Sequence, residues 1–212
     1  NNAVLAIAGD FETKSMLKRV KELFGPIPKG QTPPRLARPE PEQKGELRFS
    51  VEGPGETTFM QVAYHFPNAT DPDYFPLQVL DSLLNGASGL SYKTSRLYRA
   101  LVDKGYAVDA SGYSDASIDP YLYRMIITIH PNRKPEEAIA VLDTEIKKLQ
   151  DELVKADEIK RAVKQARAVF AYGSENITHQ AFWMGYTAMF STYDWFTSHL
   201  DKLAKVTPKD VQ

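Results

Sequence analysis

Four histidines (His65, His130, His179 and His199) and no cysteine make up the soft-ligand inventory of this 212-residue chain. No two histidines lie four apart, the spacing that sets two imidazoles on one helix face for a single zinc ion. Glu175 and His179 have that separation on an expected helix and could share a metal, but a solvated pair in a first helical turn is the plainer account. His65 falls within an expected strand as a core or edge residue, and His130, followed by Pro131, at a strand end. The serines show no His/Asp pattern that would single out a nucleophile. Gly89-Leu90-Ser91-Tyr92-Lys93-Thr94 carries the Lys-Thr of a phosphate loop, yet it lacks the glycine before the lysine and follows a helix instead of a strand. Gly9-Asp10-Phe11-Glu12 has a single glycine and is no phosphate loop either. Asn68-Ala69-Thr70 and Asn176-Ile177-Thr178 are glycosylation sequons, informative only in a secreted eukaryotic chain.

The elements that would position any site centre on residues 79–112. Phe75, Val79, Leu80, Leu83 and Leu84 recur at helical spacing and present one apolar face to a sheet. Asn85-Gly86 stops that helix, because glycine reaches the left-handed conformation a C-cap wants. Ser91, Thr94 or Ser95 caps the next helix, which buries Leu97, Tyr98, Leu101 and Val102 and ends at Lys104-Gly105. Two helices meeting at a small-residue loop suit close packing or a binding surface, with packing the plainer account.

In chain order, residues 3–8 form an apolar run that reads as a buried strand. Asp10 or Thr13 caps a helix to Phe24, stopped by Gly25-Pro26. Prolines 26, 28, 33, 34, 39 and 41 make an extended linker. Residues 46–52 alternate as a half-buried strand, and 57–66 form a longer one buried on both sides or bulged. Strands over 106–114 and 122–130 follow, the second with Met125, Ile127 and Ile129 on one side. Helices are expected over 135–153, 157–172, 176–190 and 194–204, with the aromatics of 180–190 serving core packing. Thr207-Pro208 opens one more. Strands and helices are segregated, so the fold class is α+β: a mostly antiparallel sheet with helices packed on one face.

Composition agrees with a folded chain and narrows its partners. A hydrophobic content of 42% with 25% charged residues is that of an ordinary globular protein with a real core. The 26 basic and 27 acidic residues leave a net charge of −1, so no single-sign field is available for nucleic acid or an anionic membrane. No apolar run reaches the roughly 20 residues of a membrane span. The absence of cysteine excludes disulfides and thiolate chemistry and leaves the compartment open.

One order of motifs is more telling than any single piece. Leu84-Asn85-Gly86-Ala87-Ser88-Gly89, then Ser95-Arg96-Leu97, then Leu101-Val102-Asp103-Lys104-Gly105-Tyr106-Ala107-Val108 resembles the C-terminal-type domain of the pitrilysin/insulinase/mitochondrial processing peptidase family, where "LGGG…SSRL…LRE…GLAYSV" is common. The similarity extends over most of the chain, including the opening Asn2-Ala3-Val4-Leu5-Ala6-Ile7-Ala8-Gly9-Asp10. It implies a metallopeptidase-family half-domain, with residues 1–25 the strand–helix tail of a preceding zinc-type domain, 26–44 the Pro-rich linker and 45–212 the C-terminal-type domain, truncated at its end.

The family's zinc motif, H-x-x-E-H, is absent from this sequence, so zinc and general base are expected in an N-terminal domain upstream. C-terminal-type domains often add an Arg and a Tyr that hold substrate and stabilise the oxyanion. Val102 and Val108 stand at those positions, with Arg96, Arg99, Tyr98 and Tyr106 as nearby polar groups. No catalytic residue or metal ligand is therefore expected here. The resemblance implies Gly86, Gly89, Ser91, Arg96 and Tyr106 as substrate-binding residues, lining one wall of a peptide-enclosing chamber. Expected partners are a zinc-type domain of the same or another chain, in a homo- or hetero-dimer in the second case, and peptide substrate. The alternative is a non-catalytic assembly or peptide-binding subunit that keeps only the fold. The resemblance also implies an unfilled strand slot, into which residues 4–8 are expected to dock across the linker, within one chain or by exchange.

Overall fold

The computed structural model describes residues 3–34, 41–86 and 92–212. Chain contacts divide it into two units, Asn1–Gly55 and Glu56–Gln212.

Among the described residues, the first unit contains one regular element, α1 (Thr13–Phe24). Glu12, not Asp10 or Thr13, is its cap: the Glu12 carboxylate accepts from the Lys14 and Ser15 amides at 3.0 and 2.6 Å. A glutamate can do this because two orphan N–H groups converge on it at the positive helix end. The Gly25 amide closes the last turn on the Lys21 carbonyl at 2.9 Å. Residues 3–8 and 46–52, both expected as strands, are irregular. Leu47, Phe49 and Val51 are 79, 89 and 85% exposed, and Val4, Leu5 and Ile7 are exposed too. Alternation or apolarity can mark a strand face, but a strand also needs a ladder partner, and neither segment has one among the described residues. Residues 4–8 therefore form no strand here, and the sheet begins at Phe59, not at residue 46.

The second unit is built on β1 (Phe59–Phe66), β2 (Ala107–Tyr113) and β3 (Tyr121–Ile129) in the antiparallel order β1-β3-β2. β3 is central, and its odd positions Tyr123, Met125, Ile127 and Ile129 are all buried. β1 pairs with β3 in unbroken register and is mostly exposed, so it is an edge strand, not one buried on both sides. The irregularity lies instead in β2, between Ala107 and Asp109.

The helices are α2 (Tyr74–Leu84), α3 (Pro135–Asp151), α4 (Ala156–Gly173), α5 (Ile177–Phe190), α6 (Tyr193–Thr197), α7 (His199–Ala204) and α8 (Pro208–Val211). α3 starts where Pro135 sets its first residue and Glu137 reaches back to the Lys134 amide at 2.9 Å. α8 is capped reciprocally by Thr207 and Asp210. The helix expected over 194–204 is two short ones, broken at Ser198. α2 packs against α4, and α4 against α7. The core gathers Val79, Leu97, Leu101, Met125, Ile127 and Leu142, each essentially inaccessible. On α5, Tyr186 packs against this core, whereas Phe182 and Met189 are exposed, so only part of that aromatic segment serves packing.

Candidate functional site

The α2 C-terminus ends as its sequence demands. The Asn85 amide donates to the Asp81 carbonyl at 2.8 Å and the Gly86 amide to the Ser82 carbonyl at 3.1 Å. Gly86 then turns with φ +79°, a conformation costly for any residue with a Cβ. Gly89 and Ser91 lie outside the described residues. Beyond the loop come a 3₁₀ turn, Tyr92–Thr94, and a π-helical segment, Tyr98–Val102, in which the Asp103 amide reaches back five residues to Tyr98. Ser95 caps it by accepting from the Tyr98 amide at 3.2 Å.

Arg96 and Tyr106 flank this segment and are held by different elements. The Arg96 guanidinium donates side-on to both Glu158 oxygens, at 2.7 and 2.9 Å, tying the start of the π-helical segment to the first turn of α4. Those bonds hold the Glu158 carboxyl below its usual range. Tyr106 is half-buried, with the Arg133 guanidinium 4.8 Å over its ring. Arg133 also donates to the Gly105 carbonyl and to Glu137. Val102 is half-buried at the end of the π-helical segment, and Val108 is exposed within the β2 irregularity.

Sequence reading missed the polar cluster beneath Gly86. Tyr123 Oη donates to Asp81 Oδ1 at 2.7 Å, and Asn85 Nδ2 donates to the same oxygen at 2.8 Å and to Tyr123 Oη. Burial outweighs these bonds and raises the Asp81 carboxyl to about 6. Burial and then the Asp81 charge push the Tyr123 phenol well up. Asn85 Oδ1 is buried without a hydrogen-bond partner. The sequence signal was an Asp and an Asn four apart on an otherwise apolar helix face; their partner Tyr123 lies on another element. Beside this cluster a mostly apolar cleft of about 290 Å³ runs between β1, α2, α3 and α8, with Leu77, Leu80, Leu84 and Leu149 among its walls.

The histidines lie in four separate settings. His65 sits on the edge strand β1. His130 Nδ1 accepts from the Asn132 amide at 3.3 Å. His179 lies in the first turn of α5 beside its capping Asn176. His199 is buried among aromatic rings. Among the described residues, no three His, Asp or Glu side chains come together as a metal-holding group, and no helix is long and apolar enough to cross a membrane.

Comparison with solved structures shows the same fold elsewhere. A protease from Helicobacter pylori superimposes with a TM-score of 0.86 at 20% identity, over 96% of this chain and 49% of that one. The peptidase M16 inactive domain from Pseudomonas fluorescens gives 0.73 at 18% identity, over 96% and 47%. A chain of Complex III2 from Candida albicans gives 0.77 at 13%, over 96% and 49%. At these identities the likeness is one of fold, and the present chain spans about half the length of each. A search of curated proteins returned no match. The sequence itself decides the family: residues 1–166 match the family model described as the peptidase M16 inactive domain. With its α+β fold and no H-x-x-E-H, the chain belongs to that family, as one of the non-catalytic domains of this group of proteases.

Proposed function

We propose that this chain forms one wall of a peptide-enclosing chamber in a zinc metallopeptidase, whose zinc and general base come from a zinc-type domain of the same or a partner chain. The family match over residues 1–166 carries the reading. On it, residues 1–25 complete the preceding domain, 26–44 link, and 45–212 are the wall. Gly86, Gly89, Ser91, Arg96 and Tyr106 are its substrate-binding positions. Because Arg96 is engaged by Glu158, its part is to hold the start of the π-helical segment, while Gly86 lets a peptide main chain approach.

A second reading, an assembly subunit that keeps the fold without proteolysis, is supported by the Complex III2 chain with the same architecture. Reconstitution with the zinc-type domain of the full reading frame separates the two. The wall reading expects zinc-dependent peptide hydrolysis by the pair, and neither hydrolysis nor stoichiometric zinc in the 212-residue chain alone. A pair that associates tightly but never cleaves would favour the assembly role.

A further inference from the structure

Arg124 lies on the face of β3 opposite the buried Tyr123 and Met125, and its guanidinium meets two tyrosine rings. Its guanidinium lies 4.4 Å from the Tyr113 ring centroid and 5.5 Å from that of Tyr121. Both rings are exposed at their rims. The register places Tyr113 opposite Arg124 on β2 and Ala63 opposite it on β1, so one flank is an aromatic wall and the other a methyl group. The hydrogen-bonding capacity of this guanidinium is poorly used. Asp115, 63% exposed, meets one terminal nitrogen at 3.4 Å, beyond the usual length of a charge-assisted bond. Nε is buried between neighbours and has no hydrogen-bond partner. By contrast, Arg96 satisfies both oxygens of Glu158 at 2.7 and 2.9 Å. Two rings packed about a guanidinium restrict its side chain, so its planar fork meets, at little further entropic cost, a carboxylate that fits it better than Asp115 does.

We infer that Arg124, framed by Tyr113 and Tyr121, is a carboxylate-binding position that receives an acidic side chain or the free C-terminus of an extended peptide. The inference deepens the chamber-wall reading and rests on it. One arginine in a chain of net charge −1 selects a single carboxylate, not a polyanion. Ala63 leaves room for a peptide side chain to enter from the β1 side, and Asp115 occupies the position as a weak internal competitor until the peptide arrives.

The test uses the ¹⁵N-labelled 212-residue chain, with the Arg124 side-chain signal assigned by its loss in R124K. Three N-acetylated tripeptides serve as probes at millimolar concentration: acetyl-Val-Glu-Val-amide, acetyl-Val-Gln-Val-amide and acetyl-Val-Gln-Val with a free C-terminus. A shift of the Arg124 signal by the first assigns the site to acidic side chains, and by the third to a C-terminus; the neutral amide should leave it unmoved. R124K should weaken binding about tenfold, because a point ammonium loses the bidentate fork. D115N keeps the arginine, removes the competitor and should tighten binding severalfold. No response to either acid, or equal binding of acid and neutral amide, overturns the inference. Either result leaves the chamber wall standing, since that reading fails only when the reconstituted pair does not cleave.

Discussion

Two buried titratable groups lie at opposite ends of α2, Asp81 on the helix itself and His199 on α7 packed against it, and the same physics drives them in opposite directions. At its C-terminal end Asp81 shares a polar pocket with Tyr123 and Asn85. At its N-terminal end Phe75 meets the His199 ring edge-on at 5.1 Å, Phe170 stacks on that ring at 3.9 Å and Trp195 adds an edge at 4.7 Å. Burial disfavours charge in both places. It raises the carboxylic acid to about 6 and lowers the imidazole to about 3, where Lys202 adds a like charge. Hydrogen bonds moderate the first shift; rings offer no such relief to the second, and His199 Nδ1 has no partner at all. The same helix therefore supports a pocket that tolerates a charge at neutral pH and a cage that excludes one.

The consequences for stability have opposite signs. Between about pH 3 and 6.5 the unfolded chain binds more protons at His199 than the native one, so the cage's contribution is present above 6.5 and lost as pH falls. Between about 3.8 and 6 the native chain binds more protons at Asp81, so that contribution is full below 3.8 and lost as pH rises through 6.

The most damaging way to break the comparison is W195A. Trp195 is 4% exposed, its indole donates to the Ala69 carbonyl at 2.7 Å, and it packs on Tyr74 and Phe190 as well as His199. Removing it should cost about 3–5 kcal/mol in urea unfolding. It should also let His199 titrate nearer its ordinary range while Asp81 stays put; an Asp81 midpoint that moved with it would show that the two regions are one. H199F sharpens the contrast from the other side. It fills the cage with an apolar ring and removes the proton-binding group, so it should flatten the acid limb, retaining about 3 kcal/mol at pH 4 that the parent loses. An unchanged acid limb would mean that another group governs acid unfolding. D81N should do the reverse, with a smaller effect. The amide keeps an acceptor for Tyr123 and Asn85 and cannot ionise, so D81N should retain at pH 7 about 2 kcal/mol that the Asp81 titration removes from the parent between pH 4 and 7. A thermal-unfolding series in which D81N and the parent differ equally at pH 4 and pH 7 would remove Asp81 from the account.

Sequence made legible those elements whose pattern carries its own boundary. α3 follows from the period of Ala138, Val141, Leu142, Ile146 and Leu149 with Pro135 at its start, and β3 from the alternation of Met125, Ile127 and Ile129. The α2 stop at Asn85-Gly86 needed only the conformational rule for glycine. What could not be read depended on partners elsewhere in the chain. Residues 46–52 alternate as well as any strand, yet pairing is decided by a second segment. Glu12 outcompeted Asp10 as a cap through side-chain reach, which no spacing records. Among the candidate site residues, Arg96 was legible as a polar group near the loop, but its bidentate hold on Glu158, 62 positions on, was not. His199 was surveyed as a potential ligand, and only three-dimensional packing reveals it as a buried neutral ring.

The mildest prediction, G112A, tests whether the Asp81 pocket is as tightly closed as the His199 cage. Gly112 of β2 pairs with Met125 of β3, at a position where a Cβ would fall 2.3 Å from Asn85 Nδ2 and 2.7 Å from Tyr123 Oη. Glycine here is a matter of space, because the missing side chain is the room that the Asn85 amide and the Tyr123 hydroxyl occupy. An added methyl must push them aside, at a cost of about 1–2 kcal/mol, toward the low end for overpacking because both groups are side-chain termini. The displacement should also lengthen their bonds to Asp81. Those bonds lower the carboxyl against burial, so the Asp81 midpoint should rise above about 6 while His199, held by other elements, keeps its own. Carboxyl ¹³C titration of Asp81 reads the first and the acid limb of the unfolding profile the second. A G112A chain of parental stability with an unmoved Asp81 midpoint would mean that the pocket has slack enough to keep the Tyr123 and Asn85 bonds that moderate the shift.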